Sequence, residues 1–304
     1  MSWSSPSSSF SLRYPASLAA AAACWGVATA VSKQAVSQIP PLLLLSVQLT
    51  FSVAVLLVLL GVQPVRIEWS PVMVRIGLLG VLNPGVSYTL SLLGLARITA
   101  SLSVLLWAVE PVLIIGLAWA VLGKRMKPAA MVLSLAGVGG VMLMVAGRPS
   151  GGGSMSGVLL TLGGVASCAI YTVVAGKLAG DHSTLAVVTV QQGCALVWAV
   201  SLLAASIAVD PIDLAAVSAG AWMSAAVSGV IYYAAAFWFY LTGLRRMEAW
   251  VAGLSINLIP VFGVGAGYLL LGDDLSIMQW TGAVVIISSV TAIALRTKAS
   301  RSWA

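Results

Sequence analysis

The stretch Gly94–Gly123, GLARITASLSVLLWAVEPVLIIGLAWAVLG, decides how this chain is read, because it occurs twice. Moved by 149 positions, it falls on Gly243–Gly272, GLRRMEAWVAGLSINLIPVFGVGAGYLLLG. Ten of the thirty positions are identical, and they include the punctuation: Gly94 with Gly243, Arg97 with Arg246, Pro111 with Pro260, Gly116 with Gly265 and Gly123 with Gly272. Each copy opens on a polar turn, runs through an apolar segment with a central proline, and closes on glycine. Self-similarity at a fixed shift means that the chain consists of two related halves.

Composition names the solvent. Of 304 residues, 60% are hydrophobic and 8% charged, and the mean hydropathy is +1.06. A soluble domain carries roughly 25% charged residues, so this chain is expected to live in lipid. There the backbone must satisfy its own hydrogen bonds, which leaves helices or closed barrels. The apolar runs do not alternate with period two and are about 20 residues long, the length of a spanning helix. The net charge of +7 comes from single basic residues and short clusters between apolar runs. That pattern reads as membrane topology and not as a nucleic-acid surface. One histidine (His182) and three cysteines (Cys24, Cys168 and Cys194) inside apolar runs offer no metal site, cofactor or disulfide framework; the cysteines are expected as buried small hydrophobes.

Ten spans are predicted, roughly 14–35, 40–61, 70–92, 99–122, 128–146, 155–177, 184–208, 216–241, 248–271 and 275–296. They divide into a disordered tail (1–13), a first five-helix repeat (14–147), the flexible linker RPSGGGS (148–154), a second five-helix repeat (155–296) and a C-terminal tail (297–304). The first span continues past Val31, which fits an uncleaved helix better than a secretory signal. With the N-terminus in the cytoplasm, twelve of the fifteen basic residues fall inside and only Lys33, Arg97 and Arg148 outside, so both termini are expected to be cytoplasmic. An odd number of spans per half makes the halves inverted repeats. That arrangement marks secondary transporters, whose site lies near the midplane between the repeats. The first helices also correspond, Cys24 with Cys168 and Lys33 with Lys177.

The paired pattern resembles the EamA-type carriers of the drug/metabolite transporter superfamily. Their five-helix unit has a fourth helix with a central proline that ends in a Gly-acid-basic turn. Pro111 with Gly123-Lys124-Arg125, and Pro260 with Gly272-Asp273-Asp274, stand in those places. Lys124 replaces the usual acid, so that acid's role is not carried over. The resemblance covers nearly the whole chain and is closest to the aromatic amino-acid exporter branch. It implies a multi-pass protein of the bacterial inner membrane, with helices 1–4 and 6–9 around a cavity and helices 5 and 10 bracing the outside.

Glu110 is the only acid near the centre of a predicted span. Placing charge there costs about 2.5–3.5 kcal/mol on insertion scales. It is a candidate partner for a substrate ammonium or a proton site; the alternative is a carboxyl that bonds backbone groups freed by Pro111. Ser103, Trp107 and Glu110 share one helical face at i, i+4 and i+7, and Trp250, Gly253 and Asn257 share a face of the matching span at i, i+3 and i+7. Asn257 is either an interhelical hydrogen bond or a ligand contact. Gly263 and Gly267 read as a close packing face. In the third span, Asn83-Pro84-Gly85 followed by Ser87 and Tyr88 loosens the helix, either as a simple kink or to expose carbonyls to a substrate. Trp25, Trp107, Tyr232 and Tyr233 are candidates for an aromatic cavity wall or for lipid and core packing, and Trp238, Phe239 and Tyr240 read as an interfacial belt. Gln48, Gln191 and Gln192 are further polar candidates. Pro84, Pro111 and Pro260 are the candidate bending points.

No Lys or Arg lies at mid-span, so phosphorylated substrates lack their usual partners. A zwitterion or weakly polar metabolite fits best. The expected function is export of small amphipathic metabolites, amino acids including aromatic ones, by alternating access, with the four-helix bundles of the two halves rocking around the cavity. Glu110 leaves proton coupling open. A drug exporter of the same fold, a channel and an intramembrane enzyme are the alternatives. The last lacks a Ser/His/Asp set, a paired-Asp motif and metal ligands. The expected partners are a small-molecule substrate and the lipid bilayer.

Overall fold

A computed structural model describes residues 13–122, 128–146, 154–178, 182–244 and 258–301, and within them the regular elements are helices. The first half holds α1 (Arg13–Val36), α2 (Pro41–Val62), α3 (Pro71–Gly80 continued by Ser87–Leu95), α4 (Ala100–Trp107 continued by Glu110–Leu122) and α5 (Pro128–Ala146). The second holds α6 (Met155–Leu178), α7 (Thr184–Val209), α8 (Ala219–Gly229 continued by Ala236–Leu244), α9 (Ile259–Leu271) and α10 (Ile277–Arg301). Six are long and apolar enough to cross a bilayer. The 22 residues of α2 extend about 33 Å at 1.5 Å each, the thickness of the hydrocarbon layer. Shorter apolar stretches lie in α4, α5, α9 and α10. Large side chains such as Leu57, Val197 and Leu269 are more than half exposed, an outer surface suited to lipid and not to water.

Local chemistry sets the helix ends. The hydroxyls of Ser70, Thr99 and Ser218 accept from the N–H groups of Met73, Leu102 and Ala221, capping α3, α4 and α8. Pro41 and Pro71 sit in first turns, where a missing N–H costs nothing. Gly272, with φ +69, ends α9, and the N–H groups of Gly272 and Asp273 return to the carbonyls of Tyr268 and Gly267. Only glycine adopts that turn freely.

Two helices are irregular at matching places. In α3 two helical segments meet across a kink at Asn83 (φ −144, ψ 118), as expected from Asn83-Pro84-Gly85, and the turn Val81–Val86 is wide there; in α8 the turn Val230–Ala235 is wide as well. The two are 149 positions apart, the shift that relates the repeats. The second, VIYYAA, contains neither proline nor glycine, so a proline kink accounts for the first and not for the second. What they share is the residue just before. A Cβ on Gly80 would collide with the backbone of Gln191, and one on Gly229 with the backbone of Gln48. Each helix crosses a partner of the other half at contact distance, and the widened turn follows the crossing.

The predicted fourth span departs from one continuous helix. Pro111 has no N–H to give the Trp107 carbonyl. The chain tightens there, with Ala108 and Val109 donating to Leu105 and Leu106, before Glu110 starts the second segment.

The halves are not two separate bundles; their helices interlock. Helix α1 packs along α8 and α9, α3 along α6 and α7, and α2 along α7 and α8, so most close pairs join one half to the other. Glycines make the approach possible: Gly94 lies against Thr161 and the Gly157 carbonyl, Gly164 against Ser91, and Gly26 against Gly263. The largest buried cluster draws on both halves, from Leu44 and Tyr88 to Ala195 and Tyr233. Outside it, α5 and α10 pair with each other, Gly140 lying against the Gly282 carbonyl and Ile286.

Candidate functional site

The wide turns aim aromatic rings inward. Tyr232 and Tyr233 lie within the α8 turn, and Tyr88 follows the α3 turn by two residues. Tyr88 stacks on Trp107 of α4 with centroids 5.5 Å apart and planes 19° apart. It meets Tyr232 and Tyr233 edge-on at 5.3 and 5.2 Å. The hydroxyl of Tyr232 lies near Tyr88 and Thr29. Both halves therefore contribute to one aromatic group, in geometries that aromatic quadrupoles favour.

These rings border a void of about 20 Å³, lined also by Thr29, Ser32, Gln48, Ser91, Leu92, Leu95 and Ser103. No charged side chain lines it. That volume holds about one water, so any metabolite has to part the rings to enter. Gln48, 1% exposed, donates to Ser32 Oγ at 2.9 Å and to Ser228 Oγ at 2.8 Å. Its Oε1 and the hydroxyl of Ser91 are buried without a hydrogen-bond partner among the described residues. Buried polar atoms are rarely left so.

Beside Leu95, which lines the void, the halves meet. Lys33 Nζ donates to the carbonyl of Leu95 at 2.7 Å, and Asp273 is close enough to act on its charge. Asp273 Oδ2 accepts from the backbone N–H of Ser101 at 2.9 Å, a carboxylate on the N-terminus of α4. Lys33 is thus held by the carbonyl of a residue that lines the void.

A second pocket of about 40 Å³ lies on the far side of Trp107, lined by Val104, Ala108, Glu110, Pro111, Ile259 and Pro260. The break in α4 splits the expected shared face: Ser103 and Trp107 reach the aromatic void, whereas Glu110 faces this second pocket with Trp107 between. The Glu110 carboxyl lies beside the thiol of Cys168 on α6. Cys168 is buried, as expected, next to a polar group.

The other candidates fall elsewhere. Ser87 Oγ donates to the Gly164 carbonyl at 2.8 Å and joins α3 to α6. Asn83, Pro84 and Gly85 are buried at the wide turn and do not line the void. Trp25 packs on Phe237 and Tyr240, so Tyr240 belongs to a ring cluster with α1 and not only to an interfacial belt. Gln192 accepts from Ser52 at 2.6 Å, and Gln191 bonds Tyr171 and the Ile76 carbonyl. Gly263 and Gly267 face Val104 and Ser101 of α4, as a packing surface would. Trp250, Gly253 and Asn257 lie outside the described residues. Sequence reasoning passed over Thr29, Ser32, Ser91, Ser228 and Cys168. Only Cys168 carried a signal, its match to Cys24.

The EamA-like transporter family matches the chain twice, over residues 15–146 and 155–295. A solved structure described as the crystal structure of a protein has a TM-score of 0.64 and 19% identity, covering 92% of this chain and 98% of that one. At this identity the likeness concerns fold alone. No curated protein matches the chain.

Proposed function

We propose that this chain, which belongs to the EamA-like transporter family, exports small amphipathic metabolites, amino acids with aromatic side chains foremost, through the void between its halves. Family membership makes it a multi-pass membrane transporter of the drug/metabolite type and points away from an enzyme. The substrate reading rests on one observation: Tyr88, Trp107, Tyr232 and Tyr233 from both halves surround a void whose lining is polar but uncharged. Rings of that kind take apolar or aromatic groups by stacking, and an uncharged wall suits a zwitterion better than a phosphate. Such a site in an inverted-repeat carrier would serve alternating access.

The interlocked halves favour bending of helices over rocking of bundles. The wide turns in α3 and α8, the break before Pro111 and Pro260 in the first turn of α9 are the bending points. With both termini cytoplasmic, in the bacterial inner membrane, the end of the void beside Lys33 and Asp273 is its outer mouth. Glu110, beside Cys168 and Trp107, is the site where proton coupling would enter.

The test is uptake of labelled tryptophan, phenylalanine, threonine and methionine into liposomes carrying the purified protein. Saturable, competable uptake and counterflow of the aromatic pair are expected. No uptake of any of the four by folded protein sinks the amino-acid assignment and moves the search to drugs and other metabolites. Flux without saturation or counterflow indicates a channel.

A further inference from the structure

We propose that Gln48 is the specificity-determining acceptor of the aromatic void, holding its side-chain carbonyl for an N–H of the substrate's protonated amine, with Ser91 beside it. The proposal rests on reading that void as the substrate site.

Two hydroxyls orient the amide. Ser228 Oγ lies 3.1 Å from the Ala225 carbonyl, to which it can donate, and so arranged it accepts from the Gln48 amide nitrogen at 2.8 Å. The nitrogen's second hydrogen goes to Ser32 Oγ at 2.9 Å. Both donors are used in this orientation, and Oε1 stays without a partner among the described residues, in a side chain 1% exposed. Ser91 Oγ, on the same void, is partnerless too. A buried acceptor left unpaired is destabilising, and the cost is recovered when a donor arrives. Sites built this way reject analogues that lack the donor.

The other half shows that this arrangement is not a structural necessity. Gln191 stands to Gly80 as Gln48 stands to Gly229. Yet its nitrogen goes to the Ile76 carbonyl and its oxygen accepts from Tyr171. One glutamine of the pair is satisfied, and the one on the void is not. The surrounding rings add to the preference for a cation, because an ammonium near Tyr or Trp faces gains from the quadrupole.

The experiment compares three probes on the protein in nanodiscs: L-tryptophan, tryptamine (amine without carboxylate) and indole-3-propionate (carboxylate without amine). Tryptophan and tryptamine are expected to bind at least roughly tenfold more tightly than indole-3-propionate, the size of one hydrogen bond to a charged donor. Gln48→Met, similar in volume but without the acceptor, is expected to bring tryptamine down to the level of indole-3-propionate. The double variant Ser32→Ala/Ser228→Ala keeps Gln48 but releases its amide, and is expected to narrow the gap part of the way. Equal binding of all three probes by the parent protein overturns the proposal while leaving the aromatic site standing, as does an unchanged preference in either variant. Binding of none of the three overturns the aromatic site as well. The parent comparison decides even where Gln48→Met fails to fold.

Discussion

Asp273, just past the end of α9 in the second half, accepts from the backbone N–H of Ser101 at the start of α4 in the first, at 2.9 Å. One half thus caps a helix of the other. Asp273 also lies near Lys33, whose ammonium is bound to the Leu95 carbonyl. Since Leu95 lines the aromatic void and Ser103 lies two residues beyond Ser101, this contact lies beside the candidate site.

Asp273→Ala is therefore expected to loosen that mouth. Removing a capping side chain costs about 1 kcal/mol. In a cysteine-free background carrying Ser103→Cys, labelling by a membrane-impermeant maleimide is expected to quicken with Asp273→Ala. Labelling at the unchanged rate would show that the contact does not hold the mouth shut.

The helix crossings predict where a single methyl group is not tolerated. Gly80→Ala and Gly229→Ala drive a Cβ into the backbones of Gln191 and Gln48. Overpacking of this kind costs about 1–3 kcal/mol, and a backbone obstacle gives way less easily than a side chain. Gly61→Ala has open space and sits in the exposed part of α2, so it is expected to be neutral or slightly stabilising. Thermal unfolding in detergent separates the two classes. A Gly229→Ala protein as stable as Gly61→Ala would contradict the crossing.

Trp107 divides the two pockets and stacks on Tyr88. Trp107→Leu is expected to weaken binding of an aromatic probe by roughly tenfold, the stacking being worth about 0.5–1.5 kcal/mol beyond its buried area. Trp25→Leu, remote from the void on Phe237 and Tyr240, is expected to change affinity far less. Equal losses in the two variants would argue against the void as the site.

Glu110 lies outside the aromatic void, so its replacement is expected to affect driving force more than recognition. In Glu110→Gln liposomes, uptake driven by an imposed proton gradient is expected to fall to the rate seen without one, while the Kd of the aromatic probe changes little. A gradient response kept in full by Glu110→Gln would remove Glu110 from coupling.

Much of the architecture was legible because it rests on local chemistry. Hydropathy marked most of the described helices to within a few residues, the start of the ninth span lying outside the described residues, and the caps at Ser70, Thr99 and Ser218 and the turn at Gly272 depend on neighbours in the chain. The candidate site was legible only in part. Tyr88, Trp107, Tyr232 and Tyr233 could be named from apolar segments rich in rings, yet Trp25 has the same appearance and packs elsewhere. Glu110 and Ser103 look alike on an ideal helix, and the break before Glu110 sends them to different pockets. Gln48, Gln191 and Gln192 are indistinguishable as polar residues in apolar runs. Only their neighbours on other helices, Ser228 foremost, make one of them an open acceptor.

By itself the sequence determined that the chain is a helical membrane protein built twice over. Hydrophobic transfer and the backbone's need for internal hydrogen bonds act on residues close together in the chain, and the repeat is written in the order of the residues. Only the tertiary structure decided that the halves interlock, that α3 and α8 widen at matching turns, and which polar atoms face one another across the void. Those outcomes depend on contacts between residues some 110–180 positions apart, such as Gly80 with Gln191, Ser101 with Asp273 and Gln48 with Ser228. Close packing of backbones through glycine sets them, and no local pattern in the chain encodes which glycine meets which helix.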